Sequence, residues 1–176
     1  MLPRSLARVN SVVMLHSAVP LALADIARCA GLAYTPAASA VATLARRGLV
    51  THVSRAGRER YGPDLDSPYY PMAYLTALVD LPLAEALGEE HISTAYAYGP
   101  LASPGGAAKG VDLHVMVVGQ IRDLPGMLSR FALMGIRIGR AVVPFVLTEA
   151  ELERGRRRGD GHVAAALAGV RISPTP

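Results

Sequence analysis

The stretch YAYGPLASPGGAAKGVDLHVMVVG, from Tyr96 to Gly119, decides how the second half of this chain folds. It predicts two strands joined by a tight turn and a glycine-rich loop. The first strand, over residues 92–98, runs into Gly99-Pro100. Pro104-Gly105-Gly106 marks a turn more readily than a phosphate cradle. The second strand is predicted over residues 111–118. Strand alternation sets Gly110, Asp112 and His114 on one face, and Val111, Leu113 and Val115 on the other. The polar face therefore carries one carboxylate, Asp112.

Downstream, the periodicity predicts a helix over 123–134 and a strand over 141–147. Thr148-Glu149-Ala150-Glu151 has the spacing of a capping box and opens another helix. A short helix at 163–167 and a strand at 170–172 follow. Upstream, residues 4–17 predict a helix with Leu6, Val9, Val12, Val13 and His16 on one stripe. A second helix over 21–30 turns inward Leu23, Ile26 and Ala27, and ends at Gly31. A third over 35–47 has Thr35 or a neighbour as its cap and Pro36 in its first turn, and stops at Gly48. Strands at 49–54 and 58–61 pair about Ala56-Gly57. Three helices followed by a hairpin predict a winged helix-turn-helix.

Residues 62–71 form a linker by composition, and residues 72–87 a helical connector disturbed by Pro82. The expected class is α+β. A winged helix-turn-helix domain spans residues 1–67, a connector 68–90, and a small α/β domain 91–176.

The chain has 176 residues, a formal net charge of +4 and 51% hydrophobic residues, so it can bury a sizeable core and is not a disordered polymer. The charge excess lies wholly in residues 1–67, where eight Arg face four acids; the remainder carries ten cations and ten acids. That asymmetry points to a polyanion partner for the first half, against a solvated arginine-rich surface. Cys29 is alone, so an intramolecular disulfide is excluded, and it reads as a buried small hydrophobe. His16, His52, His91, His114 and His162 show no metal-ligand spacing. Arg4 and Arg8 precede an apolar run ending in Ala22-Leu23-Ala24, but Asn10, Ser11, His16, Ser17 and Pro20 interrupt it, which argues against a secretory leader. No stretch reaches 18 apolar residues, so no membrane span and a cytoplasmic location are expected.

In a helix-turn-helix the second helix of the motif enters the major groove and the wing touches backbone or minor groove. The DNA-binding candidates are Thr35, Ser39, Arg46 and Arg47 on the third helix, and Arg55, Arg58 and Arg60 on the hairpin. Arginines there neutralise phosphates. The reading face itself is poor in donors. Ala37, Ala38, Ala40, Val41 and Ala42 leave no bidentate Arg, Asn or Gln in the first two turns. Phosphate binding and shape readout fit these residues better than base-specific readout. Arg154–Arg158, interrupted by Gly155, reads as a solvated helix face that can add a phosphate contact.

Over nearly its whole length the chain resembles a bacterial and archaeal family that joins an arsenic-repressor-like winged helix to a minimal nucleotidyltransferase domain. The Ala30-Gly31-Leu32 turn, the ARRGLV stretch ending at Val50 and Arg58-Glu59-Arg60-Tyr61 resemble the winged-helix part. Asp66-Ser67-Pro68-Tyr69-Tyr70-Pro71 resembles its linker. Gly99 and Val111-Asp112-Leu113 fall at the nucleotidyltransferase motif. Ile138-Gly139-Arg140, Val143-Pro144, Thr148-Glu149 and Arg158-Gly159-Asp160 resemble the C-terminal block.

The departures sit in the chemistry. Pro100 stands where the family has Ser, Gly110 where it has the first Asp, and Val143 where it often has Asn. Nucleotidyl transfer uses carboxylates to hold divalent metals that bridge the phosphates. One carboxylate does not suffice, and the segment Arg140–Leu147 supplies no other. The resemblance thus implies the fold, with Gly99 and Asp112 as a vestigial motif. It implies no catalytic residue, no bound metal and no cofactor.

The expected function is a DNA-binding transcriptional regulator, homodimeric on double-stranded DNA. Its inactive nucleotidyltransferase-like domain serves dimerisation or senses a nucleotide or small molecule. Two alternatives stay open: a weakly active metal-dependent nucleotidyltransferase, and an antitoxin-like protein-interaction module.

Overall fold

The computed structural model describes residues 3–16, 19–55, 57–80, 86–88, 90–102 and 112–172. Helices α1 (Arg4–Leu15), α2 (Leu23–Ala30) and α3 (Tyr34–Arg46) come first, then strands β1 (Val50–Arg55) and β2 (Arg58–Pro63). Helix α4 (Tyr70–Val79) leads to β3 (His91–Tyr98) and a 3₁₀ turn at Pro100–Ala102. Strand β4 (Leu113–Gln120), helix α5 (Leu124–Ile138) and strand β5 (Val142–Leu147) follow. Helices α6 (Glu149–Arg158) and α7 (Gly161–Leu167) and strand β6 (Val170–Ile172) close the chain. The class is α+β: β1 and β2 make an antiparallel pair, and a second sheet has the order β5-β4-β3-β6. In that sheet β3 runs antiparallel to β4 and β6, while β4 and β5 are parallel across the α5 crossover.

The expected elements recur with small shifts. The second helix begins at Leu23, because Leu21 forms a single bridge with Tyr61, exchanging both backbone hydrogen bonds at 2.8 Å. The cap of α3 is Ala33, with no side-chain bond; Thr35 already lies in the first turn, beside Pro36. The composition-based linker is partly ordered, since Gly62 and Pro63 belong to β2, and Tyr70 and Pro71 open α4. Pro82 lies outside the described residues.

Helix α1 explains how the two halves join. Val9, Val12, Val13, Met14 and Leu15 are buried, beyond the single stripe that its periodicity predicts. Full burial of each such side chain stabilises by about 1.5–3 kcal/mol. Asn10 and Ser11, polar breaks in the apolar run, are buried too. Asn10 Nδ2 donates to the Ala73 carbonyl at 3.1 Å and Ser11 Oγ to that of Ala77 at 3.3 Å, so both dock α1 on α4. One continuous core then runs from Leu6 and Leu44 through Tyr74 and Leu78 to Phe131, Val142 and Ile172.

The second sheet is covered on both faces. Ala95, Ala97, Leu113, Val115 and Val117 join the main core. Tyr98, Met116 and Val118 pack with Ala166, with Phe145 and Leu152 alongside. Helix α5 turns Met127, Phe131, Met134 and Ile138 inward, at helical spacing. It ends at Gly139, whose φ of +63° is left-handed; a Cβ there would run into the His16 imidazole. The next residue, Arg140, is buried. Its guanidinium donates to the Leu15 carbonyl and, at 3.2 Å, to that of His16, at the C-terminal end of α1, where a cation is favoured. Burial lowers its pKa from the ordinary arginine value.

Candidate nucleic-acid interface

Exposure on α3 follows its sequence. Ala37, Ala40, Val41 and Leu44 are buried, so Thr35, Ser39, Ala42 and Arg46 fall on the opposite, exposed face at three- and four-residue steps. Thr43 bonds back to the Ser39 carbonyl at 2.8 Å, and Arg46 donates to Thr43 Oγ1 at 3.1 Å, which steers that guanidinium along the helix. Arg47 is the C-cap, exposed, just ahead of Gly48. Thr35, Ser39, Arg46 and Arg47 thus share the accessible side and end of one helix.

The hairpin register divides the remaining candidates. Arg55 stands opposite Arg58, and Val53 opposite Arg60. The other face pairs His52 with Tyr61 and Ser54 with Glu59. On that face His52 lies 3.4 Å from Glu59, and the Tyr61 hydroxyl donates to Glu59 at 3.2 Å. Burial and that carboxylate together raise the Tyr61 pKa, burial contributing most. The hairpin acid is therefore engaged on the face away from the arginines. Arg58 is exposed; the Arg55 side chain lies outside the described part. Arg60 is different. It donates to the Pro20 carbonyl at 3.2 Å and so ties β2 to the segment between α1 and α2.

The second candidate region holds Gly99 and Asp112. Gly99 ends β3 with φ +81°, and His114 on β4 lies against it, its ring 5.5 Å from that of Tyr98. The Tyr74 hydroxyl donates to the Leu101 carbonyl at 2.7 Å, which pins the 3₁₀ turn to α4. Burial pushes the Tyr74 hydroxyl far above its ordinary pKa, so it stays a donor. Asp112 is exposed and immediately precedes β4. It has no ion-pair or hydrogen-bond partner among the described residues, Arg and His114 included. Gly110 and the Pro104-Gly105-Gly106 loop lie outside those residues. The expected alternation holds from His114 onward, but both faces of β4 are buried, so the strand is packed rather than open to a substrate.

Among the described residues no group of three His, Cys, Asp or Glu comes together. Strand β5, beside β4, carries no carboxylate. Cys29 is half-buried rather than fully buried, and burial raises its thiol pKa. The arginines of α6 are solvated, as expected. No residue of that helix is buried, and Glu153 pairs with Arg157 at 2.9 Å and Arg156 at 4.0 Å. The capping box is formed in both directions, Thr148 Oγ1 accepting from the Glu151 N–H and Glu151 accepting from that of Thr148. Among the described residues no helix is long and apolar enough to cross a membrane.

Two residues that matter to the architecture escaped the sequence reading. Arg140 stands just ahead of the strand predicted over 141–147, and Asn10 reads as an interruption of the apolar run. A buried cation holding the end of another helix has no local signature. A polar residue at a core position of an apolar stripe was the one available sign for Asn10.

No protein-family model, curated protein or solved structure matches the chain.

Proposed function

We propose that the chain is a DNA-binding transcriptional regulator: a winged helix-turn-helix joined to a nucleotidyltransferase-like half that has kept its fold without its chemistry. The observation that carries this reading is the arginine-bearing hairpin beside an exposed α3 face. Arg55 stands opposite Arg58 in the strand register, Glu59 stands opposite Ser54 at the neighbouring position, and Arg46 and Arg47 lie at the end of α3. The Leu21–Tyr61 bridge adds a short third strand segment to the hairpin, which supports the winged-helix assignment.

The antiparallel step from β3 through Gly99 to β4, followed by a parallel β5, supports a nucleotidyltransferase-like sheet. The lone exposed Asp112 supports loss of function there. Dimerisation is assigned to the outer face of α5. There Leu128, Leu133 and Ile136 are 44%, 59% and 69% exposed, apolar side chains of the kind that gather at an interface. Sedimentation should show a dimer that Ile136→Glu shifts toward monomer; a wild-type monomer at micromolar concentration rejects this assignment.

The test of the main reading is a salt-titrated binding assay on random duplex and on the promoter region of the protein's own gene. Affinity should fall steeply with salt, because phosphate neutralisation dominates. No detectable binding at low salt rejects the regulator.

A further inference from the structure

Helices α1, α3 and α4 do not close on one another completely. Between them lies a cavity of about 520 Å³, lined by Asn10, Leu44, Arg47, Leu49, Met72 and Thr76, among others. Its size and mostly apolar lining with a few polar groups are those of a small-molecule site. Two polar residues distinguish it from a packing gap.

The first is Asn10. It is 2% exposed, and its Nδ2 is fixed by the bond to the Ala73 carbonyl. That bond assigns the amide orientation. Its Oδ1 is then buried with no hydrogen-bond partner among the described residues. A buried acceptor without a donor costs free energy that a donor on a bound molecule recovers. The second is Arg47, exposed at the end of α3, with no carboxylate partner among the described residues. Tyr69 and Met72 stand at the same cavity with 66% and 69% exposure, and a methionine adapts readily to an apolar guest.

We propose that this cavity binds a small aromatic carboxylic acid that carries a ring N–H or O–H. The ring lies against Leu44, Leu49 and Met72. The donor satisfies Asn10 Oδ1, and the carboxylate pairs with Arg47. Binding at the cavity does not depend on the regulator reading. Its consequence does: a carboxylate on Arg47 withdraws that cation from DNA phosphate, and a guest beside Leu44 and Leu49 bears on the end of α3. An acid of this class therefore weakens DNA binding.

The probe is indole-3-propionate, titrated by calorimetry against the full-length chain. Two analogues accompany it: the indene acid, with a ring CH₂ in place of N–H, and the carboxamide. The acid should bind, each analogue should bind about tenfold more weakly, and only the two acids should lose affinity as salt rises. Asn10→Leu should erase the preference for indole over indene. Because that change also removes the bond to Ala73, Thr76→Phe is the second variant. It fills the cavity from the half-exposed side of α4, where the Thr76 hydroxyl donates within its own helix, to the Met72 carbonyl at 2.8 Å. Loss of binding in Thr76→Phe supports the site.

Equal binding of all three compounds, or binding untouched by Thr76→Phe, overturns it. So does ready disulfide formation between two Met72→Cys chains, which would place a second copy over the mouth. A chain that binds duplex DNA in a salt-dependent way but ignores the probe has lost the cavity proposal alone. One that binds the probe but no DNA has lost the regulator.

Discussion

The hairpin β1–β2 and the strand β4 are both short runs of extended chain, and they meet the solvent in opposite ways. Residues 51–54 of β1 are all exposed, and Arg58 and Glu59 of β2 likewise. From Val115 to Gly119, β4 is buried without interruption. The hairpin leaves its polar and charged residues exposed. The strand buries its residues in packing, and the acid just ahead of it, Asp112, has no hydrogen-bond or ion-pair partner among the described residues. Chemistry needs polar groups gathered and held; β4 gathers apolar ones. The first region is a surface and the second a scaffold.

The link between them offers the largest expected effect. Arg140 follows α5 and holds the carbonyls of Leu15 and His16 at the end of α1. Arg140→Met keeps much of the volume and removes the donors. It should lower stability by about 2–3 kcal/mol, as loss of buried charge-assisted hydrogen bonds does. Denaturant unfolding should remain a single transition with a lower midpoint, since one core spans both halves. Two separated transitions in the wild type would break the idea that scaffold and surface fold together.

A contrast between two arginine clusters sharpens the surface side. Arg55 and Arg58 stand opposite one another, whereas Arg156 and Arg157 share Glu153 on α6. Changing Arg55 and Arg58 together to Ala should weaken duplex binding tenfold or more at low salt and flatten the logarithmic salt slope by about 2, one contact each. Arg156→Ala with Arg157→Ala should change both far less, because those cations already have a carboxylate. An equal loss from the two pairs would mean that net charge, and not the hairpin, drives binding.

Much of this is legible in the sequence alone. Apolar spacing gave α1, α3 and α5, Gly48 marked where α3 stops, and Thr148-Glu149-Ala150-Glu151 announced the cap of α6, because each signal is local. What stayed hidden depends on residues far apart in the chain. The Leu21–Tyr61 bridge is one residue on each side, too short for a pattern. Asn10 and Ser11 looked like breaks in a stripe because their partners, the Ala73 and Ala77 carbonyls, lie over sixty residues away. The two-sided burial of β4 was written in its continuous Val115–Val118 run, yet alternation invited a polar face. At the candidate interface residue type alone could not separate Arg58, which is exposed, from Arg60, which donates to the Pro20 carbonyl.

The smallest expected effect falls on Asp112, and it bears most directly on the scaffold. If the second half retains only a fold, Asp112→Asn removes a charge that holds nothing. Stability should change by less than about 0.5 kcal/mol, as at most exposed sites without partners. Duplex affinity should not move. Neither protein should transfer label from a nucleotide in the presence of magnesium, because two-metal chemistry needs acids converging from more than one position, and β5 brings none beside Asp112. A magnesium-dependent transfer that Asp112→Asn abolishes would overturn the comparison at its root: the exposed acid would be the working part. A transfer that survives the change would move the chemistry elsewhere and leave Asp112 idle, as its isolation among the described residues suggests.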